Sequence, residues 1–233
     1  MSRAQRTGPA SGTSRARQTP SAAGMAGRIE YGDTGLTEDQ LAATWIEQFR
    51  HWFDDATSAG IPEPNAVVLA TVGPDSVPAA RLVLMKSFDE SGIVVFTNGD
   101  SAKGQQLAAN PYAALVFPWH PMHRQVRLSG PVEVVEKTES DAYFASRPYG
   151  ARIAARVSRQ SQVISGRTEL EAHWAAQARA YPEGGHVPRP ARWQGYRVRP
   201  DSVEFWSGRE NRLHDRLRFR RTEDGWVTER LAP

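Results

Sequence analysis

A chain of 233 residues with 39% hydrophobic content and a mean hydropathy of -0.55 has material for one sizeable core and no apolar run of membrane-spanning length. The absence of cysteine excludes disulfides, thiolate nucleophiles and cysteine-ligated zinc or iron–sulfur centres, and fits a reducing, cytoplasmic setting. The net charge of +3 is no nucleic-acid signal, because residues 1–27 hold Arg3, Arg6, Arg15 and Arg17 without an acid, and the other 25 of the 29 basic residues meet 26 acids.

Residues 1–27 are rich in Ser, Ala, Gly, Pro and Arg, lack aromatics and periodicity, and are expected to be a disordered tail. A single domain over residues 28–233 follows. Thr37 and Gln40 form a capping-box pattern before an apolar stripe of Leu41, Trp45, Ile46, Phe49, Trp52 and Phe53, which predicts a helix ended by Gly60 and Pro62. Strands are predicted at Ala66–Val72, Ala79–Phe88 and Ile93–Thr97, with turns at Gly73–Asp75 and Asp89–Gly92. Ser101 caps a short helix through Ala109, and strands Ala113–Trp119 and Gln125–Val135 follow. The third quarter reads as helices over Thr138–Ser146, Ala151–Val157 and Arg167–Tyr181, the last with Leu170, Trp174 and Ala178 on one face. Final strands are expected at Gly195–Val198, Ser202–Trp206, Leu213–Arg221 and Trp226–Leu231. Short strands joined by tight turns, without regular βαβ alternation, indicate an antiparallel barrel with flanking helices, a mainly β (α+β) class.

Several clusters look unlike ordinary packing. Arg81-Leu-Val-Leu-Met-Lys86 is a strand with a cation at each end, and the odd spacing puts the two charges on opposite faces. Phe96-Thr97-Asn98 leading into Ser101-Ala102-Lys103 at a helix start offers N–H groups, a hydroxyl and a lysine to a phosphate. Gln125, and Gln160 within Ser158-Arg-Gln-Ser161, present amides suited to a flat heterocycle. Arg212, His214 and Arg216 share one face if the chain there is extended, with Trp206 upstream. That group suits a planar anionic ligand, or else forms a solvated edge strand. The other histidines lack metal-ligand spacing, so no metal site is expected.

Taken in order, Arg81–Lys86, Phe96-Thr-Asn98 with Ser101-x-Lys103, Phe117-Pro-Trp119, Arg124-Gln-Val126, Ser146-Arg-Pro148, Ser158-x-Gln-Ser161 and Phe205-Trp206 with Arg212-Leu-His-Asp-Arg216 closely resemble the pyridoxine/pyridoxamine 5′-phosphate oxidase family, from about Arg28 to Pro233. The resemblance implies a homodimeric, FMN-binding split barrel with FMN at the subunit interface. It implies oxidation of pyridoxamine or pyridoxine 5′-phosphate by O2 to pyridoxal 5′-phosphate, with hydride passing from C4′ to flavin N5. Arg81, Lys103, Gln160 and Ser161 would hold the FMN phosphate and ribityl chain, with Phe96, Thr97 and the run Leu82, Val83, Leu84, Met85 and Lys86. Gln125, Trp206 and Arg216 would address the isoalloxazine. Lys86, Tyr143, Arg147 and the Ala151 position would bind the substrate phosphate. Arg212 and His214, flanking Leu213, would act at the substrate ring as the catalytic pair, under a lid of Arg28, Ile29, Glu30 and Tyr31. Ala102 and Ala151 stand where many members carry arginine and serine. Each loses a polar contact worth about 1.5–3 kcal/mol, so weaker FMN or substrate binding is expected. The same barrel would also suit a non-catalytic carrier or sensor of flavin or pyridoxal phosphate, or a deazaflavin reductase lacking the Arg212/His214 pair.

Overall fold

The computed structural model describes Tyr31 and residues 35–233. The tail and the Arg28–Glu30 part of the lid lie outside the described residues. Nine strands run in the order β1 (Ala66–Val72), β2 (Pro78–Asp89), β3 (Gly92–Asn98), β4 (Tyr112–Trp119), β5 (Arg124–Val134), β6 (Trp193–Val198), β7 (Ser202–Ser207), β8 (Asp215–Thr222) and β9 (Gly225–Arg230). Their neighbours are β4-β1-β2-β3-β6-β5, and a β4–β5 pairing closes these six antiparallel strands into a barrel. β5 is where the barrel splits. It pairs with β4 over Arg124–Pro131, with β7 over Arg124–Ser129 and with β6 over Val132–Val134. The β6–β7 connection therefore crosses β5 at Gly130, where any Cβ would run into the Arg199 carbonyl. Only glycine permits that approach. β8 and β9 continue the sheet outward from β7.

Alternation fills the barrel. Val67, Leu69, Leu115, Phe117, Val126, Leu128, Val203 and Phe205 are all buried, and their chain neighbours face outward. Helix α1 (Trp45–Ser58) lays Trp45, Ile46, Phe49, Trp52 and Ala56 on the barrel, with Phe49 edge-on to Phe88 and Phe117 at 5.0 Å each. This helix starts later than the sequence predicts. The Thr37/Gln40 box caps only a single 3-10 turn, and Thr44 with Glu47 forms a second box that opens α1. Buried Gln48 accepts from Ala42 N at 2.9 Å and holds the bridging segment to the helix.

Helices α2 (Ala102–Ala109), α3 (Lys137–Ser146), α4 (Tyr149–Val157) and α5 (Arg167–Ala180) follow the predicted order. Phe144, Ile153, Val157, Val187 and Trp193 form a second, smaller core between α3, α4 and β6. The expected buried face of α5 is a departure. Leu170 and Trp174 are 37% and 39% exposed, and of the three residues only Ala178 packs on this core. Among the described residues no helix is long and apolar enough to cross a membrane.

Candidate active site

Arg81 and Lys103 meet at one mouth of the barrel. Arg81 lies opposite Leu69, so its side chain leaves the strand on the core side, and it donates to Thr71 Oγ1 at 2.6 Å and Gln106 Oε1 at 3.0 Å. Lys103, in the first turn of α2, donates to Gln160 Oε1 at 3.2 Å and Thr97 Oγ1 at 3.4 Å. Thr97 in turn donates to Gln160 at 2.9 Å. Burial pushes the Lys103 ammonium below the ordinary lysine pKa, and the nearby Arg81 charge adds to that; burial also lowers Arg81. Among the described residues neither cation is paired with a carboxylate, a combination that favours an external anion. Ser101 is not part of the cradle. It is fully buried as the α2 N-cap, accepting from Gly104 N at 3.2 Å and donating to Asn98 O at 2.6 Å. Ser161 follows Gln160 in the left-handed region, with φ of 74°.

Lys86 faces other surroundings. Met85 pairs with Val95 and Ser87 with Val94, so Lys86 is the extra residue of a β-bulge, which re-aims its side chain. It lines a cavity of about 270 Å³ together with Thr97, Tyr143, Arg147, Gln160 and Trp193. Phe96, Tyr143 and Trp193 stack in its wall, with centroids 4.3 Å and 5.2 Å from Phe96. Arg147 sits 4.8 Å over the Trp193 ring, and its buried Nη1 has no hydrogen-bond partner among the described residues. Burial lowers its pKa, opposed by Tyr143. Two cations and no carboxylate in a ring-walled cavity match a phosphate ester of a flat molecule. Ala151 lies on α4 outside this lining. In the 82–85 run, Val83 and Met85 face the core, Met85 exchanges hydrogen bonds with Asn65 at 2.9 and 3.0 Å, and Leu82 is 67% exposed.

Gln125, Trp206 and Arg216 stand side by side, since Gln125 pairs with Trp206 on β7 and Trp206 with Arg216 on β8. Directly opposed residues share a face, so the three form one row on the outside of the sheet. Beside it, Tyr31 packs 4.2 Å from His123, 5.8 Å from His214 and 6.0 Å from Trp206, and His214 is 4.7 Å from Trp206. Arg212 and His214 do not reach this place on an extended strand. Glu210–Arg212 is a 3-10 turn, Asn211 and Arg212 are left-handed with φ of 54° and 63°, and β8 begins only at Asp215. Leu213 projects to solvent, 68% exposed. His214 Nδ1 accepts from Arg209 N at 3.1 Å, which leaves the proton of the neutral ring on Nε2.

Residues that composition and spacing do not reveal hold these groups in place. Glu204 alternates outward yet is 3% exposed, accepting from Arg216 Nε at 2.8 Å and Arg127 at 2.5 Å. Arg216 Nη1 also donates to Ala232 O at 2.8 Å, so the C-terminal segment fixes its direction. Thr71, Gln106 and Trp193 support the cation cluster and the cavity in the same way. Acid partners for cross-strand arginines are the available sequence signal for Glu204; Trp193 has none.

A six-stranded antiparallel barrel split along one strand, carrying these cation and ring clusters, defines a split-barrel fold. The crystal structure of PhzG from Burkholderia lata 383 in complex with tetrahydrophenazine-1-carboxylic acid superposes with a TM-score of 0.81 at 30% identity, covering 87% of this chain and all of that one (100%). An FMN-binding, pyridoxamine 5′-phosphate oxidase-related protein of Nostoc punctiforme shares the fold, with a TM-score of 0.66 at 18% identity over 82% of this chain and 98% of its own. The profile of the pyridoxamine 5′-phosphate oxidase family matches residues 53–177, and that of the pyridoxine 5′-phosphate oxidase C-terminal dimerisation region matches residues 193–233. The pyridoxine/pyridoxamine 5′-phosphate oxidase of Salinispora arenicola is 52% identical over 208 residues, covering 88% of this chain and 94% of the relative. That of Thermosynechococcus vestitus is 54% identical over 206 residues, covering 88% and 97%. The chain belongs to the pyridoxine/pyridoxamine 5′-phosphate oxidase family.

Proposed function

We propose that this chain, as a homodimer, oxidises pyridoxamine or pyridoxine 5′-phosphate with O2 to pyridoxal 5′-phosphate, using FMN. Hydrogen peroxide is the coproduct, with ammonia from the amine, and the reaction serves vitamin B6 synthesis or salvage. The observation that carries this reading is the cavity of Lys86 and Arg147, two cations without a carboxylate beside stacked rings. That environment favours a phosphate ester of an aromatic substrate over a neutral one.

The residues fit FMN. Arg81, Lys103, Thr97, Gln160 and Ser161 offer charge and hydrogen bonds to its phosphate and ribityl chain, and Gln125, Trp206 and Arg216 offer a row of donors and an indole to its ring. When bound, FMN supplies acceptance of a hydride from the substrate C4′ at N5 and its discharge onto O2. The protein's part is orientation. Lys86 and Arg147 anchor the substrate phosphate, and Arg212 steers the pyridine ring. His214, its Nδ1 occupied by a backbone N–H, presents Nε2–H as a donor that fixes the ring's tilt. Tyr31 packs on His123 and Trp206, beside the row that would face the flavin ring.

One chain does not bring the two halves together. Gln125, with Trp206 opposite it on β7, sits at the start of β5, whereas β6, which neighbours Thr97, joins β5 at Val134, roughly 30 Å of extended strand away. A complete site therefore takes its phosphate half from one subunit and its ring half from the other. Exposed Leu82, in register with Val68 and Val116 on the outer barrel face, supplies apolar contact surface for that pairing.

Oxygen uptake tests the substrate class. Uptake with pyridoxamine 5′-phosphate should exceed that with unphosphorylated pyridoxamine by at least about 100-fold at equal low concentration, in line with two charge-assisted contacts. Equal rates would remove the phosphate reading. FMN affinity should also depend on pH. Lys103 holds its positive charge only below a depressed pKa, so affinity falls as pH rises through that value, earlier than an ordinary lysine would allow. Lys103→Arg should extend binding to higher pH, and a flat profile in the native chain would contradict this role for Lys103.

A further inference from the structure

Behind the wall of the substrate cavity lies a second and larger one, about 440 Å³, enclosed by α3, α4 and the loop that precedes β6. Its floor is apolar, made by Phe144, Val187 and Pro188, while Lys137, Arg152 and Arg189 bring positive charge to it, with His186 of the loop beside them. The lining holds one carboxylate, Asp141, and Arg189 Nε already engages it at 2.6 Å.

Arg152 is the informative residue. It lies one turn before Arg156 on α4, so both address the same loop. Arg156 is fully engaged, donating to Gln177 at 3.0 Å, Pro188 O at 2.8 Å and Tyr181 OH at 3.1 Å. Arg189 ties the loop down as well, through Asp141 and the Trp193 carbonyl. The loop is thus anchored without Arg152, whose Nε is buried and has no hydrogen-bond partner among the described residues. An unpaired guanidinium nitrogen at the edge of an apolar cavity carries a desolvation cost that a bound anion would offset. The volume falls within the range of small-molecule sites, roughly 300–1,000 Å³.

We propose that this cavity binds a small molecule bearing an oxyanion, phosphate or carboxylate, on an apolar body, with the oxyanion on Arg152 and Lys137. The site adjoins the catalytic one. Phe144 of its floor is edge-on to Trp193 at 5.1 Å, the ring over which Arg147 sits.

Calorimetric titration of the FMN-loaded full chain with phenyl phosphate, benzoate and neutral benzyl alcohol tests it. Phenyl phosphate should fill two sites per chain, and benzyl alcohol should fill neither. Arg152→Gln and Lys137→Gln should each weaken one site at least tenfold while leaving FMN content and turnover unchanged. Arg147→Ala should remove the other site and spare this one, so failure here is separable from failure of the substrate reading. Benzoate binding at the same site identifies the acceptable anion as any oxyanion, and its absence restricts it to phosphate. A single phenyl phosphate site per chain that Arg147→Ala removes overturns the proposal, as does phenyl phosphate binding that survives both Arg152→Gln and Lys137→Gln undiminished. Should Arg152→Gln not fold, Lys137→Gln decides alone, because Lys137 is exposed in the first turn of α3.

Discussion

An Arg147→Ala chain and a His214→Ala chain, each nearly inactive alone, are expected to regain activity when assembled into mixed dimers. The two residues occupy opposite ends of the barrel in one chain, and a site assembled from two chains needs one from each. In a mixed dimer one site receives both intact residues and the other receives both lesions, by the symmetry of an isologous pair. Co-purified mixed dimers should therefore show about half the native rate per dimer. If both residues of a site came from one chain, each site would carry one lesion and mixing would restore nothing. Steady-state assay of tag-selected mixed dimers against each parent separates these outcomes.

The second large effect is a division between chemistry and cofactor retention. Arg212→Ala and His214→Ala should each lower kcat/KM at least about 100-fold, the scale of losing a positioned polar group at the reacting centre. Flavin content should stay at the native level, because the predicted FMN contacts lie on Arg81, Lys103 and the Gln125–Trp206–Arg216 row. The strained geometry supports a functional reading of Arg212. Two consecutive non-glycine residues with positive φ cost roughly 1–3 kcal/mol each and persist where surrounding contacts enforce them. A colourless Arg212→Ala protein would assign Arg212 to flavin binding.

Much of the barrel was legible because burial follows a period of two. Val67 and Leu69, Val126 and Leu128, and Val203 and Phe205 announce their strands by alternation, and the Asp89–Gly92 turn announces the β2–β3 hairpin. The order of site motifs was equally readable, and the row of Gln125, Trp206 and Arg216 shows that residues far apart in sequence fall into one register. What alternation cannot encode was lost. Arg212 and His214 look like alternate residues of a strand, yet two left-handed residues turn the chain before β8 begins. Lys86 gains its direction from a bulge, which adds a residue without any composition signal. Glu204 reads as a solvent-facing position and is buried by two arginine stems. Helix α5 has an apolar stripe that the described residues largely leave exposed; Ala178 and the Arg156–Gln177 link tie the helix to α4. In each case a feature beyond alternation decides the outcome, whether a left-handed turn, a bulge or a long-range contact.

The catalytic reading meets its most direct test in an anaerobic titration of the FMN-loaded dimer with pyridoxamine 5′-phosphate, followed by flavin absorbance. The yellow colour should bleach with about one equivalent of substrate per flavin and return when air is admitted, with pyridoxal 5′-phosphate formed in matching amount. Flavin that stays oxidised through saturating substrate would make the chain a binder of these molecules and contradict its assignment as their oxidase.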